Sequence, residues 1–277
     1  MGQANPFNVF LKGGLDYFNT DIQGRTAAGG NIKLSNMGMA QASNLTANAN
    51  RNDVISGGNI QFTNGNVGKG SVLYAGTKNI SGVSYSTPGA TARRGTEIDF
   101  NAAFNQLAQI SAGYAGQNET GLRQRSGSAL TLTACGNGIN YFNVTTDDLW
   151  SLSSLSYNRN GFSNVKFIVN VTNGSTRGAN AKLENFGINL NGVAQKDILF
   201  NMKDVTSLTL GSIGWQGSIL ATKANVVFNG GAFNGTLVAN SLYGCGQFNN
   251  YPVPEPATIC ALGLGAIAVI RRRRSAK

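Results

Sequence analysis

The stretch AAGGNIKLSNMGM, residues 27–39, returns as ISGGNIQFTNGNV at residues 55–67, and the two copies agree in kind along their length. Each opens on small residues and two glycines, places an asparagine, and then alternates. Ile32 and Leu34 correspond to Ile60 and Phe62, with Lys33 and Gln61 between them. A period of two turns the apolar residues to one side of an extended strand and the polar ones to the other. Glycine before the strand allows a tight corner. Asparagine after it tolerates a left-handed turn and can stack into amide ladders between neighbouring coils. Weaker copies flank this pair, FLKGGLDYFNTDIQG from Phe10 and LYAGTKNISGVSY from Leu73. Such repetition predicts a mainly β chain wound as a β-solenoid, in which each coil buries its apolar row against the next.

The pattern returns near the end of the domain. Trp215-Gln216-Gly217-Ser218-Ile219-Leu220-Ala221 is answered 18 residues later by Phe233-Asn234-Gly235-Thr236-Leu237-Val238-Ala239. That spacing suits one coil of three short strands, with Ile219, Val227 and Leu237 expected inside. A sandwich of hairpins is the competing topology, because short alternating strands do not fix connectivity.

One segment reads as a helix. Thr96 stands as N-cap with Glu97 and Asp99 in the first turn, and Phe100, Ala103, Phe104, Leu107, Ile110 and Tyr114 recur at helical spacing before Gly116. The stripe predicts an amphipathic helix packed on the solenoid flank. Residues 117–128 read as a loop, strands follow near Leu130, Asn140, Val165 and Phe186, and Asp147-Asp148-Leu149 reads as a single helical turn.

The C-terminus has a different character. Val253-Pro254-Glu255-Pro256 leads into an apolar run from Ile259 to Ile270 and then Arg271, Arg272, Arg273 and Arg274. As a helix the run is roughly 18 Å long, short for the ~30 Å hydrocarbon core of a bilayer. The arginines suit the cytoplasmic side and stop a short transmembrane helix there. The domain boundaries follow: a β-solenoid over residues 5–252 and an anchor segment over residues 253–277. An ordinary membrane anchor is the plainer reading of this tail.

Composition must be judged without the tail. The 277 residues carry 22 Lys and Arg against 12 Asp and Glu, a formal charge of +10. Without Arg271 to Arg274, Lys277 and Glu255 the balance is 17 bases against 11 acids, or +6. Charged residues make up only 12% and Gly numbers 37, so amides and hydroxyls supply the polar surface. A modest basic surface can attract an acidic polysaccharide. Cys260 belongs to the tail. Cys135 and Cys245 fall in residues 5–252, either as a disulfide or as two separate buried thiols. Residues 1–6 have neither a basic nor an apolar segment of a secretory signal, so that signal is expected upstream of Met1.

The order Pro-Glu-Pro, apolar helix, arginine cluster resembles the PEP-CTERM sorting signal of Gram-negative bacteria. The resemblance implies cleavage by an exosortase near Pro254, Glu255 and Pro256, after a precursor stage anchored in the inner membrane. It then implies release to the cell surface or the extracellular polysaccharide matrix. Residues 5–252 carry a second resemblance. Asn5-Pro6-Phe7-Asn8-Val9-Phe10, the Gly29-Gly30-Asn31 and Gly57-Gly58-Asn59 repeats, Ile98-Asp99-Phe100, and the run from Phe186 through Gln216 to Pro252 look like the choice-of-anchor A domain. Its members are bacterial surface proteins regarded as adhesins.

The residues present exclude much chemistry. Without histidine in the chain, Ser-His-Asp and Cys-His catalysis and nearly all zinc sites are removed. Asp147 and Asp148 are the only adjacent acids, and they read as a turn, not a catalytic dyad. Gly65-Asn66-Val67-Gly68-Lys69-Gly70 lacks Walker spacing and reads as corner glycines. The expectation is a non-enzymatic, adhesin-like surface protein with no cofactor, no metal and no nucleic-acid partner. Exosortase, the membrane before processing, exopolysaccharide and neighbouring cells are its expected partners. Ice binding and a polysaccharide-active enzyme are the alternatives. The first needs outward threonines repeated at coil spacing, the second converging acids.

Overall fold

The computed structural model describes residues 1–251. Seventeen strands form one wound sheet, and four more form a second sheet at one end. Pairing is parallel throughout except for Leu122–Ser126 on Ala129–Thr133 and one isolated bridge, which excludes the hairpin sandwich. Leu15 pairs with Ile32, Ile32 with Ile60, and Ile60 with Lys78, so all four glycine-led copies lie in register. Trp215 pairs with Phe233, and Ile219 with Leu237, as their 18-residue spacing predicts. The arrangement is β-helix-like, each coil presenting three faces around an apolar interior: the first carries Val9–Leu11, Thr26–Ala28, Asn52–Ser56 and Ser71–Tyr74, the second residues 15–18, 32–35 and 60–63, and the third residues 20–22, 37–39 and 65–67.

The coils do not stack in chain order. Residues 9–22 lie in the middle, and coils 26–39, 52–67 and 71–85 rise from them. The chain then returns along α1, Phe100–Ala115, to the opposite end and winds back from residue 122. The last coil closes on the first: Val9 pairs with Leu237 and Leu15 with Leu242. Asn8 fastens this seam. Its buried amide donates to the Gly235 carbonyl at 2.5 Å and the Asn249 carbonyl at 3.1 Å, and its Oδ1 accepts from the Gly24 amide.

α1 covers the first face on both sides of the seam. Ala103, Phe104 and Leu107 pack on Phe10, Ala27, Ile55 and Leu73 from one half and on Leu199, Leu220 and Val238 from the other. Phe10 stacks on Phe104 at 5.5 Å and 8° and on Phe100 at 5.5 Å and 25°. Burying such side chains stabilises by about 1.5–3 kcal/mol each, so the helix clamps the two halves together. Its N-cap is Asp99, whose carboxylate accepts from the Ala102 amide, and not Thr96. The reason lies in Glu97, which is drawn away from a helical first turn by Asn52 and Arg25.

Two further expectations change. Val227 points outward while Val226 and Phe228 fill the interior, because the pairing shifts register between Ala221 and Asn225. Residues 117–128 contain the strand Leu122–Ser126, whose five side chains are all exposed. Exposed polar strand residues leave no alternating apolar signal. The single helical turn is α2, Thr146–Trp150, with a complete capping box between Thr145 and Asp148. No helix of the described residues is long and apolar enough to cross a membrane. The expected transmembrane helix, the Pro254, Glu255 and Pro256 motif and Arg271 to Arg274 lie outside those residues.

Candidate functional site

The corner between the second and third faces is built from asparagine. Asn19, Asn36 and Asn64 occupy equivalent positions with φ of 56°, 54° and 54°, in the left-handed region. Asparagine enters that region more readily than other side-chain-bearing residues. Asn36 Nδ2 donates to Asn19 Oδ1 at 2.8 Å, and Asn64 Nδ2 to Asn36 Oδ1 at 3.4 Å. This is the amide ladder expected from the repeats, and it runs along the stack on the surface.

Beside the ladder the third face sinks. Gly38 and Gly65 carry no side chain there, and a Cβ on Gly65 would collide with the Met37 carbonyl. The result is a shallow hollow of about 560 Å³ lined by Thr20, Asp21, Gln41, Asn66 and Gln247 together with the ladder. Gln41 Nε2 donates to Asn66 Oδ1 at 3.2 Å, and Asn66 Nδ2 to the Ser84 and Ser86 hydroxyls at 3.0 Å each. Burial pushes the Asp21 carboxyl up, partly countered by the hydrogen bond from Gln247, and its Oδ1 has no hydrogen-bond partner among the described residues.

A second hollow of about 720 Å³ adjoins the first. Its walls are Gln23, Ala42, Ser43, Asn44, Ala194, Gln195, Lys196, Asn249, Asn250 and Tyr251. Asn44 and Asn250 hold each other: Asn250 Nδ2 donates to Asn44 Oδ1 at 2.8 Å, and Asn44 Nδ2 to the Asn250 carbonyl at 3.2 Å. Asn249 Nδ2 donates to Asn234 Oδ1 at 2.6 Å, and Asn234 Nδ2 to Gln216 Oε1 at 3.0 Å. Carboxamides both donate and accept, so this face can engage neighbouring hydroxyl groups of a ligand in either sense. Sequence reasoning missed both hollows, yet one signal was available. Coils stack at offsets of 17 and 18 residues from Leu15 to Ile32 and from Ile60 to Lys78, but the offset from Ile32 to Ile60 is 28. The surplus forms residues 40–51, which supply Gln41 to one hollow and Ala42, Ser43 and Asn44 to the other.

The adjacent acids are structural. Asp148 accepts from the Thr145 amide at 2.8 Å and pairs with Arg125 at 3.0 Å and Arg123 at 3.4 Å. Burial opposes its ionisation, but the Thr145 hydrogen bonds and the two arginines outweigh it and lower its pKa. Asp147 accepts from the amides of Thr176 and Arg177, chiefly the former, and is likewise lowered. Both carboxylates are therefore engaged in holding loops. No group of three acids, cysteines or histidines among the described residues could hold a metal ion.

Of the two alternatives for Cys135 and Cys245, the disulfide is not made: both thiols are free, Cys135 exposed and Cys245 half-buried. Cys135 precedes strand Gly138–Thr145, and Cys245 follows strand Leu237–Gly244. Four strand-to-strand steps separate those strands, about 19 Å at ~4.8 Å each, whereas a disulfide needs Cα atoms within about 7 Å.

Ice-type regularity is missing from the second face. Its outward column reads Lys182, Thr209, Val227, Tyr243, Asp16, Lys33, Gln61 and Asn79 through the stack, mixing charges, an aromatic and amides.

Comparison with known families places residues 1–250 in one described as "Putative Ice-binding-like adhesive domain". The chain belongs to this ice-binding-like adhesive family. Residues 252–274 match the PEP-CTERM protein-sorting motif. An adhesive-family domain followed by a sorting motif marks an exported protein directed to the cell surface, and the motif implies processing by an exosortase. No curated protein matches the chain. Two crystal structures are similar to this ice-binding-like adhesive domain. One is an ice binding protein from an Antarctic Biological Consortium, 13% identical, with 89% of this chain and 86% of that chain covered at a TM-score of 0.37. The other is an ice binding protein from an Antarctic bacterium Flavobacteriaceae, 12% identical, with 90% and 80% covered at a TM-score of 0.35.

Proposed function

We propose that the protein is a non-catalytic, adhesin-like component of the bacterial surface that binds polysaccharide through its third face. The observation that carries this reading is the pair of adjoining hollows walled by carboxamides, the smaller of them floored by Gly38 and Gly65. Sugars present hydroxyl groups in dense arrays, and fixed amides match them without a charged partner. The hollows are open, and hydrogen bonds between Gln41 and Asn66 and between Asn44 and Asn250 hold those walls before a ligand arrives, which lowers the ordering cost of binding. In this reading the domain is a choice-of-anchor A member wound as a β-solenoid. Its precursor is held in the inner membrane of a Gram-negative bacterium by residues 253–277, and exosortase cleavage near Pro254, Glu255 and Pro256 delivers it to the surface or matrix.

Glycan-array binding of the full chain tests the ligand class, and Gln41→Ala combined with Asn66→Ala should weaken any signal at least tenfold. A deletion strain with unchanged attachment and matrix composition, paralogues excluded, would sink the adhesin reading. Ice binding is the second reading, favoured by the family's description. The mixed outward column on the second face opposes it, and zero thermal hysteresis would remove it.

A further inference from the structure

We infer that the larger hollow is a subsite for an acidic sugar, a hexuronate unit within a polysaccharide chain. This rests on the polysaccharide reading above and narrows it. Lys196 is the one charged side chain in the lining; it also borders a separate small cavity, which Lys166 and Asp197 line as well. Lys196 is exposed and forms no ion pair among the described residues. Around it stand amide walls, Gln23, Asn44, Gln195 and Asn250 among them, and Tyr251 at 42% exposure. A hexuronate offers three complementary features: a carboxylate, ring hydroxyls and an apolar C–H face. An ammonium group takes the first, carboxamides the second, and an exposed aromatic ring the third. Three of the asparagine walls are fixed beforehand. Asn44 and Asn250 bind reciprocally, and Asn249 is held through Asn234 to Gln216.

The neighbouring hollow supplies the contrast. It holds Asp21 and no base, so it opposes an anion where the larger one accepts it. A polymer crossing both would seat its carboxylate at Lys196 and a neutral unit beside Asp21. The net positive charge of the domain adds long-range attraction for an acidic chain.

Polygalacturonate and its methyl ester share one backbone and differ in charge. The full chain should bind the acid form at least tenfold tighter than the ester at about 0.15 M salt, where surface charges more than ~8 Å apart are largely screened. Lys196→Gln should abolish that preference while leaving ester binding intact, Lys196→Arg should preserve it, and Tyr251→Ala should weaken both forms. Lys78→Gln removes the same charge from an exposed strand at the far end of the stack and should change nothing. If Lys78→Gln weakens acid binding as much as Lys196→Gln, the attraction is diffuse and the subsite is overturned. Equal binding of acid and ester, unaltered by Lys196→Gln, overturns the subsite but leaves the polysaccharide reading standing. No binding to either polymer or to any neutral glycan removes both.

Discussion

Two ladders of asparagine run along this stack, one on the surface of the half that begins the chain and one buried in the half that ends it. Asn19, Asn36 and Asn64 are exposed, sit at left-handed corners and bond mainly to one another. Asn143, Asn170 and Asn201 sit on strands, the last two nearly inaccessible to solvent. Asn201 Nδ2 donates to Asn170 Oδ1 and to the Ser111 carbonyl, both at 2.9 Å. The same residue type thus solves two problems. At the surface it meets a conformational demand of the corner, and in the interior it satisfies backbone and side-chain groups of the docked helix. Exposed amides trade partners with water at little cost, whereas a buried amide that loses its partner bears its full desolvation penalty.

The largest expected effect lies beside the buried ladder. Phe167 stacks on Phe142 at 5.3 Å and meets Tyr157 edge-on at 5.3 Å, all three fully enclosed. Phe167→Ala should cost about 3–5 kcal/mol in denaturant unfolding. If the two halves are energetically separable, its signature is early loss of amide protection in residues 122–201 with residues 26–85 still protected. Simultaneous loss would make the stack one cooperative unit, joined by α1 and the Asn8 seam. Next comes Asn201→Ala, which strands the Ser111 hydroxyl and the Asn170 amide; about 2–3 kcal/mol is expected. Faster exchange in Phe100–Ala115 should accompany it, and unchanged helix protection would count against the helix-holding role.

These two sites also show what a reader of the sequence can and cannot see. The surface ladder was legible because corner, strand and asparagine recur together at 17, 18 or 28 residues. The helix was legible from its stripe, but its cap was not, since Asp99 wins over Thr96 only through contacts that Glu97 makes with residues far away in sequence. The buried ladder was invisible: Asn143, Asn170 and Asn201 are 27 and 31 residues apart and meet only because coils of unequal length stack in register. The two hollows escaped for the same reason, being assembled from residues 20–23, 36–44, 64–66, 194–196 and 247–251. The tail's motif was the most legible feature, since its meaning is linear.

The exposed ladder should respond more gently. Asn36→Ala keeps a Cβ at φ 54° but loses asparagine's tolerance of that region, and should cost about 1 kcal/mol. Asn36→Gly removes the same side-chain hydrogen bonds while relieving the strain, and should be nearly neutral. If glycine destabilises as much as alanine, the hydrogen bonds and not the backbone govern the corner, and the contrast between the ladders collapses.

Acid should separate the halves in opposite directions. Asp148, in the buried-ladder half, has a folded pKa lowered below the unfolded value of about 3.9 despite its burial, through Thr145, Arg123 and Arg125. Its stabilisation is present above that value and is lost as pH falls through the lower folded pKa. Asp21, in the surface-ladder half, is raised by burial, so ionisation favours the unfolded chain. Its penalty is present above the folded pKa and disappears below about pH 4. Both groups are partly solvated, which limits each effect to a few tenths of a kcal/mol. Asp21→Asn should therefore stabilise slightly at pH 7 and not at pH 3, and Asp148→Asn should destabilise at pH 7 and not at pH 2. Hydrogen exchange followed from pH 6 to pH 3 should show protection declining in Ala129–Thr133 relative to Leu15–Ile22. A parallel decline in both would mean that net charge, and not these two carboxylates, sets the acid response.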